Sequence, residues 1–175
     1  MTLTGPAAAR LYDDHVDAIY GYIARRIGPD LAVDVVGDVF EQALKAHERR
    51  PAKGTDRGWL MAIATALLRR HGTTECARLE TWSTESADAL HGATDPLLAN
   101  PASGRPTATA MAAAAELDPV DRDLLFLTAW EHCSPGEAGE ATGLAAAVVR
   151  SRLGNIRKEL KRLVAHRPAD PELDG

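Results

Sequence analysis

The sequence predicts an all-α chain in which two small helical domains are joined by a flexible linker, the second domain containing a helix-turn-helix. Three observations carry that expectation. Apolar residues recur at three- and four-residue steps while β-branched alternation is scarce. Residues 72–107 are rich in Ser, Thr, Gly, Pro and Ala with no sustained period, and a stretch of that length exceeds the usual connection inside a compact domain. Near the C-terminus a short helix, a glycine and a longer basic helix follow one another, which is the sequence form of a helix-turn-helix. At 175 residues the chain has room for two such units with separate cores.

The first helix is expected over residues 8 to 27, where Tyr12, Val16, Ile19, Ile23 and Ile27 form one apolar stripe. Gly28-Pro29 breaks it, and Asp30 is placed to cap the next helix. That helix, residues 31 to 48, carries Val33, Val36, Phe40 and Ala43 or Leu44 as its apolar stripe. Asp34, Asp38 and Glu41 share an acidic face beside it. A loop over residues 47–58 holds Arg49, Arg50, Lys53 and Arg57 together with Pro51 and Gly54. Thr55 or Asp56 then starts a third helix, with Trp59, Leu60, Ile63, Leu67 and Leu68 on its buried face. These helices define a first domain over residues 1–75, followed by a linker over 76–107 with a short helix near residues 85–90.

The second domain, residues 108–166, opens with an alanine-rich helix that ends near Leu117. Asp118-Pro119 reads as an N-cap followed by proline at the first helical position, and the helix it starts buries Val120, Leu124, Leu127 and Ala129 or Trp130. Ser134-Pro135-Gly136-Glu137 is a capping box, and Gly143 supplies the turn that ends the helix it opens. The last helix spans residues 145 to 164. Val149, Leu153, Ile156, Leu160 and Leu163 face its core, with Arg150, Arg157 and Lys161 in a band beside them. Residues 167–175 are expected to form a disordered tail.

The formal net charge is −5, yet the charge is unevenly placed. Glu116, Asp118, Asp121, Asp123, Glu131, Glu137 and Glu140 crowd one stretch against Arg122 alone, and the basic helix follows directly. Such asymmetry points to nucleic-acid contact by one helix rather than by the whole chain. Cys76 and Cys133 lack a CxxC partner or zinc-ligand spacing to histidine, so neither a metal site nor a disulfide is expected. No cofactor is implied. The N-terminus has no signal-peptide core and no segment reaches the length of a membrane span, which predicts a cytoplasmic protein with no membrane partner. Asp13, Asp14 and His15 form an acid–histidine cluster, but no phosphate loop, nucleophile elbow or metal motif accompanies it, and the chain is not expected to be an enzyme.

Two blocks of the sequence resemble the extracytoplasmic-function group of bacterial RNA polymerase sigma factors. In the first, Asp34-Val35-Val36-Gly37-Asp38-Val39-Phe40 resembles the family's Asp-(Leu/Val)-(Val/Thr)-Gln-(Glu/Asp)-(Val/Thr)-Phe pattern, and GWLMAIATALLRRH resembles its Trp-Leu-x-x-Ile-Ala helix. In the second, residues 117–163 resemble region four, with its V-(K/R)-S-R-L core present as Val149-Arg150-Ser151-Arg152-Leu153. The sequence departs from the pattern at Gly37, at Thr65-Ala66 where Arg-Asn is usual on a face that meets DNA, and at the small residues Ala138, Gly139 and Ala141.

The resemblance implies a factor that binds core RNA polymerase and directs promoter-specific initiation. The alternative is a sigma-like regulator that binds DNA or polymerase without opening promoters. On this likeness Asp34, Asp38 and Glu41 would meet the polymerase clamp helices, with the polymerase flap as a further contact. Arg49, Arg50, Lys53, Arg57 and Trp59 would hold the displaced minus-ten strand, Trp59 either stacking on a base or anchoring the core. Ala146, Ala147, Arg150 and Ser151 would lie nearest minus-thirty-five base edges, and Arg152, Arg157, Lys158 and Lys161 nearer phosphates. An anti-sigma protein is an implied partner.

Overall fold

A computed structural model describes residues 5–82 and 107–167. Every regular element among these residues is helical: α1 (Gly5–Ile27), α2 (Pro29–Lys45), α3 (Asp56–Leu68), α4 (Gly72–Glu80), α5 (Ala108–Ala115), α6 (Pro119–Ala129), α7 (Pro135–Thr142) and α8 (Ala146–Ala165). Short 3-10 turns at His47–Arg49 and Arg69–His71 bracket α3. The expected helix near residues 85–90 and most of the expected tail lie outside the described residues.

Local sequence sets most boundaries. Thr55 caps α3 by accepting from the Gly58 amide at 3.0 Å, and Asp118 caps α6 by accepting from Val120 at 3.0 Å. Ser134 and Glu137 complete the capping box of α7 in both directions, and Gly143 ends that helix at φ 76°. Asp30 does not cap α2. Gly28, at φ 95°, occupies the cap position, and Asp30 falls within the first turn.

The buried faces correct the expected stripes in places. On α1, Ile19, Ile23 and Ile27 are buried together with Leu11, Tyr22 and Arg26, whereas Tyr12 lies out against Phe40 with ring centroids 4.8 Å apart. On α2 the core takes Ala32, Val35, Val36, Val39, Phe40 and Ala43, leaving Val33 63% exposed and Leu44 outside. The stripe is rotated because α1 and α3 both pack on α2 and together cover a different arc from the one Val33 occupies. On α3, Met61, Ala64 and Thr65 join Leu60, Leu67 and Leu68 inside, while Trp59 and Ile63 are half-buried. Val120 on α6 is half-buried as well.

The expected linker starts too early. Residues 72–80 form α4, which packs on α1 and α5 and buries Glu75 and Leu79, with Trp82 beyond it also buried. Nothing in GTTECARLE has a strong period, so its helix is specified by tertiary partners rather than by its own pattern.

The helices α1–α4 and α5–α8 meet along two seams, α3 against α7 and α4 against α5, and one continuous apolar cluster runs through both halves. Trp82 and Trp130 stack across that seam at 6.2 Å, and Phe126 stacks on Trp130 at 4.1 Å.

A buried ionic cluster lies at the same seam. Arg26 donates to Asp123 at 2.6 Å, to Tyr22 at 2.5 Å and to Glu75, while Arg122 reaches the other Glu75 oxygen at 3.3 Å. Each half contributes one arginine and one carboxylate, so the four charges balance in a site excluded from water. Burial works against the charge on Arg26, but Tyr22, Glu75 and Asp123 outweigh it and hold the guanidinium more firmly protonated than usual. Tyr22 passes the network to the Thr65 hydroxyl at 3.0 Å, and burial raises its phenol well above the ordinary range. Thr65 is therefore a core residue and not part of an outward, DNA-facing surface.

Candidate nucleic-acid and polymerase interface

The helix pair α7–α8 turns at Gly143, and its compactness depends on Gly139. The amide of Leu144 donates to the Gly139 carbonyl at 2.9 Å, and a Cβ on Gly139 would stand 2.4 Å from the Leu144 carbonyl oxygen. Ala138 and Ala141 are buried beside it, so the small residues seen in the sequence are what lets the two helices approach.

On α8, Val149, Ile156, Leu160 and Leu163 are buried and Leu153 packs against the core, as the stripe predicted. Ala147, Arg150, Ser151, Arg157, Lys158 and Lys161 are exposed, and Ala146 is half-buried at the first turn. Arg152 points back into its own half. It donates to Asp121 at 2.7 Å and lies 3.6 Å from Asp118, and the Asp121 hydrogen bond holds its guanidinium charged. The acidic stretch before the helix therefore ties down one of its cations and leaves the others outward.

On α2, Asp34, Asp38 and Glu41 are all exposed on one side of the helix, with Val33, Gly37 and Leu44 open between them. Glu41 pairs with Lys45, and that hydrogen bond holds its carboxyl below the usual range.

The basic loop divides into two parts. Arg50, Lys53 and Trp59 line one small cleft with Pro51, Gly54, Thr55, Ala62 and Glu140. Arg50 lies over the Trp59 ring at 5.9 Å and pairs with Asp56 at 2.6 Å. Trp59 packs against the core and also lines the cleft, with Arg50 over its ring. Arg49 is exposed and does not line this cleft.

Arg57 points to the other half of the chain. It donates to the Glu131 carbonyl at 2.5 Å and to the Cys133 sulfur at 3.5 Å, and lies 3.5 Å from the Glu131 carboxylate and 3.9 Å from that of Glu137. Burial pushes the Cys133 thiol up to about 11 and also raises the Glu131 carboxyl, against the attraction of Arg25 and Arg57. Sequence reasoning missed Arg25, Arg26, Glu75, Glu131 and Glu140 as members of this region. The acid-rich stretch was the available signal, but the pairs it forms with Glu75, Arg26 and Arg25 span 47 to 106 residues of the chain.

Among the described residues there is no cluster of three or more metal-ligating side chains, both cysteines are free, and no helix is long and apolar enough to cross a membrane.

No family model matches the chain. The sequence is 36% identical over 85 residues to the ECF RNA polymerase sigma factor BldN of Streptomyces coelicolor, a match covering 47% of this chain and 32% of the relative. The chain thus spans about a third of the length of that relative. Its fold is similar to that of CnrH, solved in complex with the cytosolic domain of CnrY, with TM-score 0.64, 24% identity, and coverage of 93% of this chain and 90% of the other. It is also similar to that of the sigma factor RpoE of Bartonella quintana, solved with the anti-sigma factor NepR, with TM-score 0.59, 15% identity, and coverage of 91% and 98%. The sequence match bears out the likeness read from the residues, to the extracytoplasmic-function RNA polymerase sigma factors, and the two fold matches bear out the all-helical fold.

Proposed function

We propose that this chain is a sigma factor that binds core RNA polymerase and directs initiation at a specific set of promoters, with no chemistry of its own. The observation that carries the reading is the exposed cationic face of α8, following a capped α7 and the Gly143 turn, in a chain similar in sequence to an ECF sigma factor. Arg150 and Ser151, with Ala146 and Ala147, read minus-thirty-five base edges; Arg157, Lys158 and Lys161 grip phosphates. Arg152 serves the fold by pairing with Asp121. Arg49, Arg50, Lys53, Arg57 and Trp59 take the minus-ten strand, and Asp34, Asp38 and Glu41 meet the polymerase. A protein inhibitor of the kind seen bound to the RpoE neighbour is the expected regulator.

Run-off transcription with purified core polymerase and genomic promoter fragments tests this. Core-dependent transcripts are the expected result. Retained core binding without any transcript would instead favour a sigma-like regulator that does not open promoters. Arg150→Ala is expected to weaken binding to the selected promoter by about 1–3 kcal/mol while leaving scrambled duplex unaffected. Equal losses on both, measured by fluorescence anisotropy, would make Arg150 a phosphate contact.

A further inference from the structure

We infer that the chain masks its own minus-ten site, with the acidic edge leading into and along α7 standing in for the nucleic-acid strand. The inference deepens the sigma-factor reading of the basic loop and rests on it. Its basis is what α7 covers. Helix α3 carries Arg57 and Trp59 and packs directly on α7. Arg57 has its guanidinium engaged by the Glu131 carbonyl and carboxylate, with the Glu137 carboxylate beyond. Those are the hydrogen-bond donors a phosphate would use.

Glu140 completes the substitution. Its carboxylate lies in the cleft formed by Arg50, Lys53 and Trp59. It comes so close to the loop that a Cβ on Gly58 would stand 2.6 Å from it, and one on Gly54 2.7 Å. Two carboxylates therefore face Arg57 and a third lies in the cleft lined by Lys53 and Trp59, while Arg50 pairs with Asp56 of its own segment and Arg49 stays exposed. A negatively charged strand entering that surface would meet like charge and find its arginine already paired.

The masking is one-sided. Arg150, Ser151, Lys158 and Lys161 on α8 remain exposed in the same arrangement. The closed chain can therefore present its duplex-reading helix while its strand-holding surface is covered. Strand capture requires α3 and α7 to separate, and the apparent affinity for single strands is reduced by the fraction of molecules that are open.

The test uses the full chain and a fluorescein-labelled, mixed-sequence single strand of about twelve nucleotides, within the range such surfaces span. The variant E131Q/E137Q/E140Q is compared with D13N/D14N/D17N, which removes the same charge from three exposed positions on α1. Hydrogen exchange is followed in residues 56–68 and 135–142. E140Q alone serves as a second variant, because its side chain is exposed and its loss does not threaten folding. The expected result is faster exchange in both segments of the triple variant and single-strand affinity about tenfold above the α1 control, with E140Q between them. Unchanged exchange overturns the proposal, as does affinity no higher than that of the control. Run-off transcription by the unaltered chain separates the two readings: its absence counts against the sigma-factor function, whereas its presence with control-level strand binding overturns the mask alone.

Discussion

Gly139 occupies a point where the chain folds back on itself within five residues. Its carbonyl takes two successive amides, those of Gly143 and Leu144, and any Cβ would press on the Leu144 carbonyl at 2.4 Å. The obstacle is backbone, which cannot swing aside as a flexible side-chain end would. Gly139→Ala is therefore expected to destabilise the chain by about 1–3 kcal/mol, the usual cost of overpacking, even though alanine is the better helix former. Urea denaturation checks this, and an increase in stability would show that the turn can relax. Thr65 makes the complementary point. In sequence it stands where a polar, DNA-facing residue is usual for the resembling family, yet its hydroxyl bonds the buried Tyr22 phenol. A residue's polarity shows only that it needs a partner; where that partner lies is decided by the packing.

At the scale of the element, the boundaries that were legible in the sequence are those fixed by local chemistry. Asp118-Pro119, Ser134 with Glu137, and Gly143 each satisfy backbone groups within a few residues, so four or five letters suffice to place a helix end. Helix α4 was not legible because its burial is supplied by α1 and α5, and Val33 was misplaced because helical periodicity gives a stripe without its exact edges. The α7 capping box also makes a pH-dependent prediction. The Ser134 amide donates to the Glu137 carboxylate at 2.9 Å, and this bond holds the Glu137 carboxyl below its ordinary value. A group whose pKa is lowered on folding contributes stability above its unfolded value, about 4.3, and loses it as pH falls through the lowered folded value. Glu137→Ala should cost about 0.5–1 kcal/mol at neutral pH, near the lower end for a hydrogen bond because the site is partly solvated. The difference should shrink as the pH falls below about 4. Thermal unfolding of both proteins across that range checks it, and a difference independent of pH would assign the effect to helix propensity alone.

For the whole molecule, the four-charge cluster decides whether the halves unfold separately or together. Arg26 and Glu75 belong to α1 and α4, Arg122 and Asp123 to α6, and the pairings Arg26–Asp123 and Arg122–Glu75 both cross the seam. No charge is satisfied wholly within its own half, because separation would remove a partner from each. This long-range dependence could not be read from the sequence, where the four residues look like ordinary surface charges on helical segments. Among the described residues, removing Arg26 leaves Asp123 with the half-exposed Arg69, at 3.1 Å, and Glu75 with Arg122 as ionic partners. Arg26→Met preserves most of the side-chain volume and deletes the charge, so it isolates the electrostatic loss from a packing loss. It should destabilise the chain by about 3–5 kcal/mol, the cost of leaving a buried charge without its partner, and the loss should appear in a single cooperative transition. The fourfold replacement R26M/E75L/R122M/D123L removes every charge at once and should recover most of that loss, since an apolar cluster of similar volume is commonly as stable as a buried ion pair. Urea unfolding followed by both tryptophan fluorescence and circular dichroism reads the two variants. Separate transitions in Arg26→Met would mean that the apolar seam around Trp82 and Trp130 is too weak to couple the halves without the ions, whereas a loss below about 1 kcal/mol would mean that water reaches the cluster and screens it.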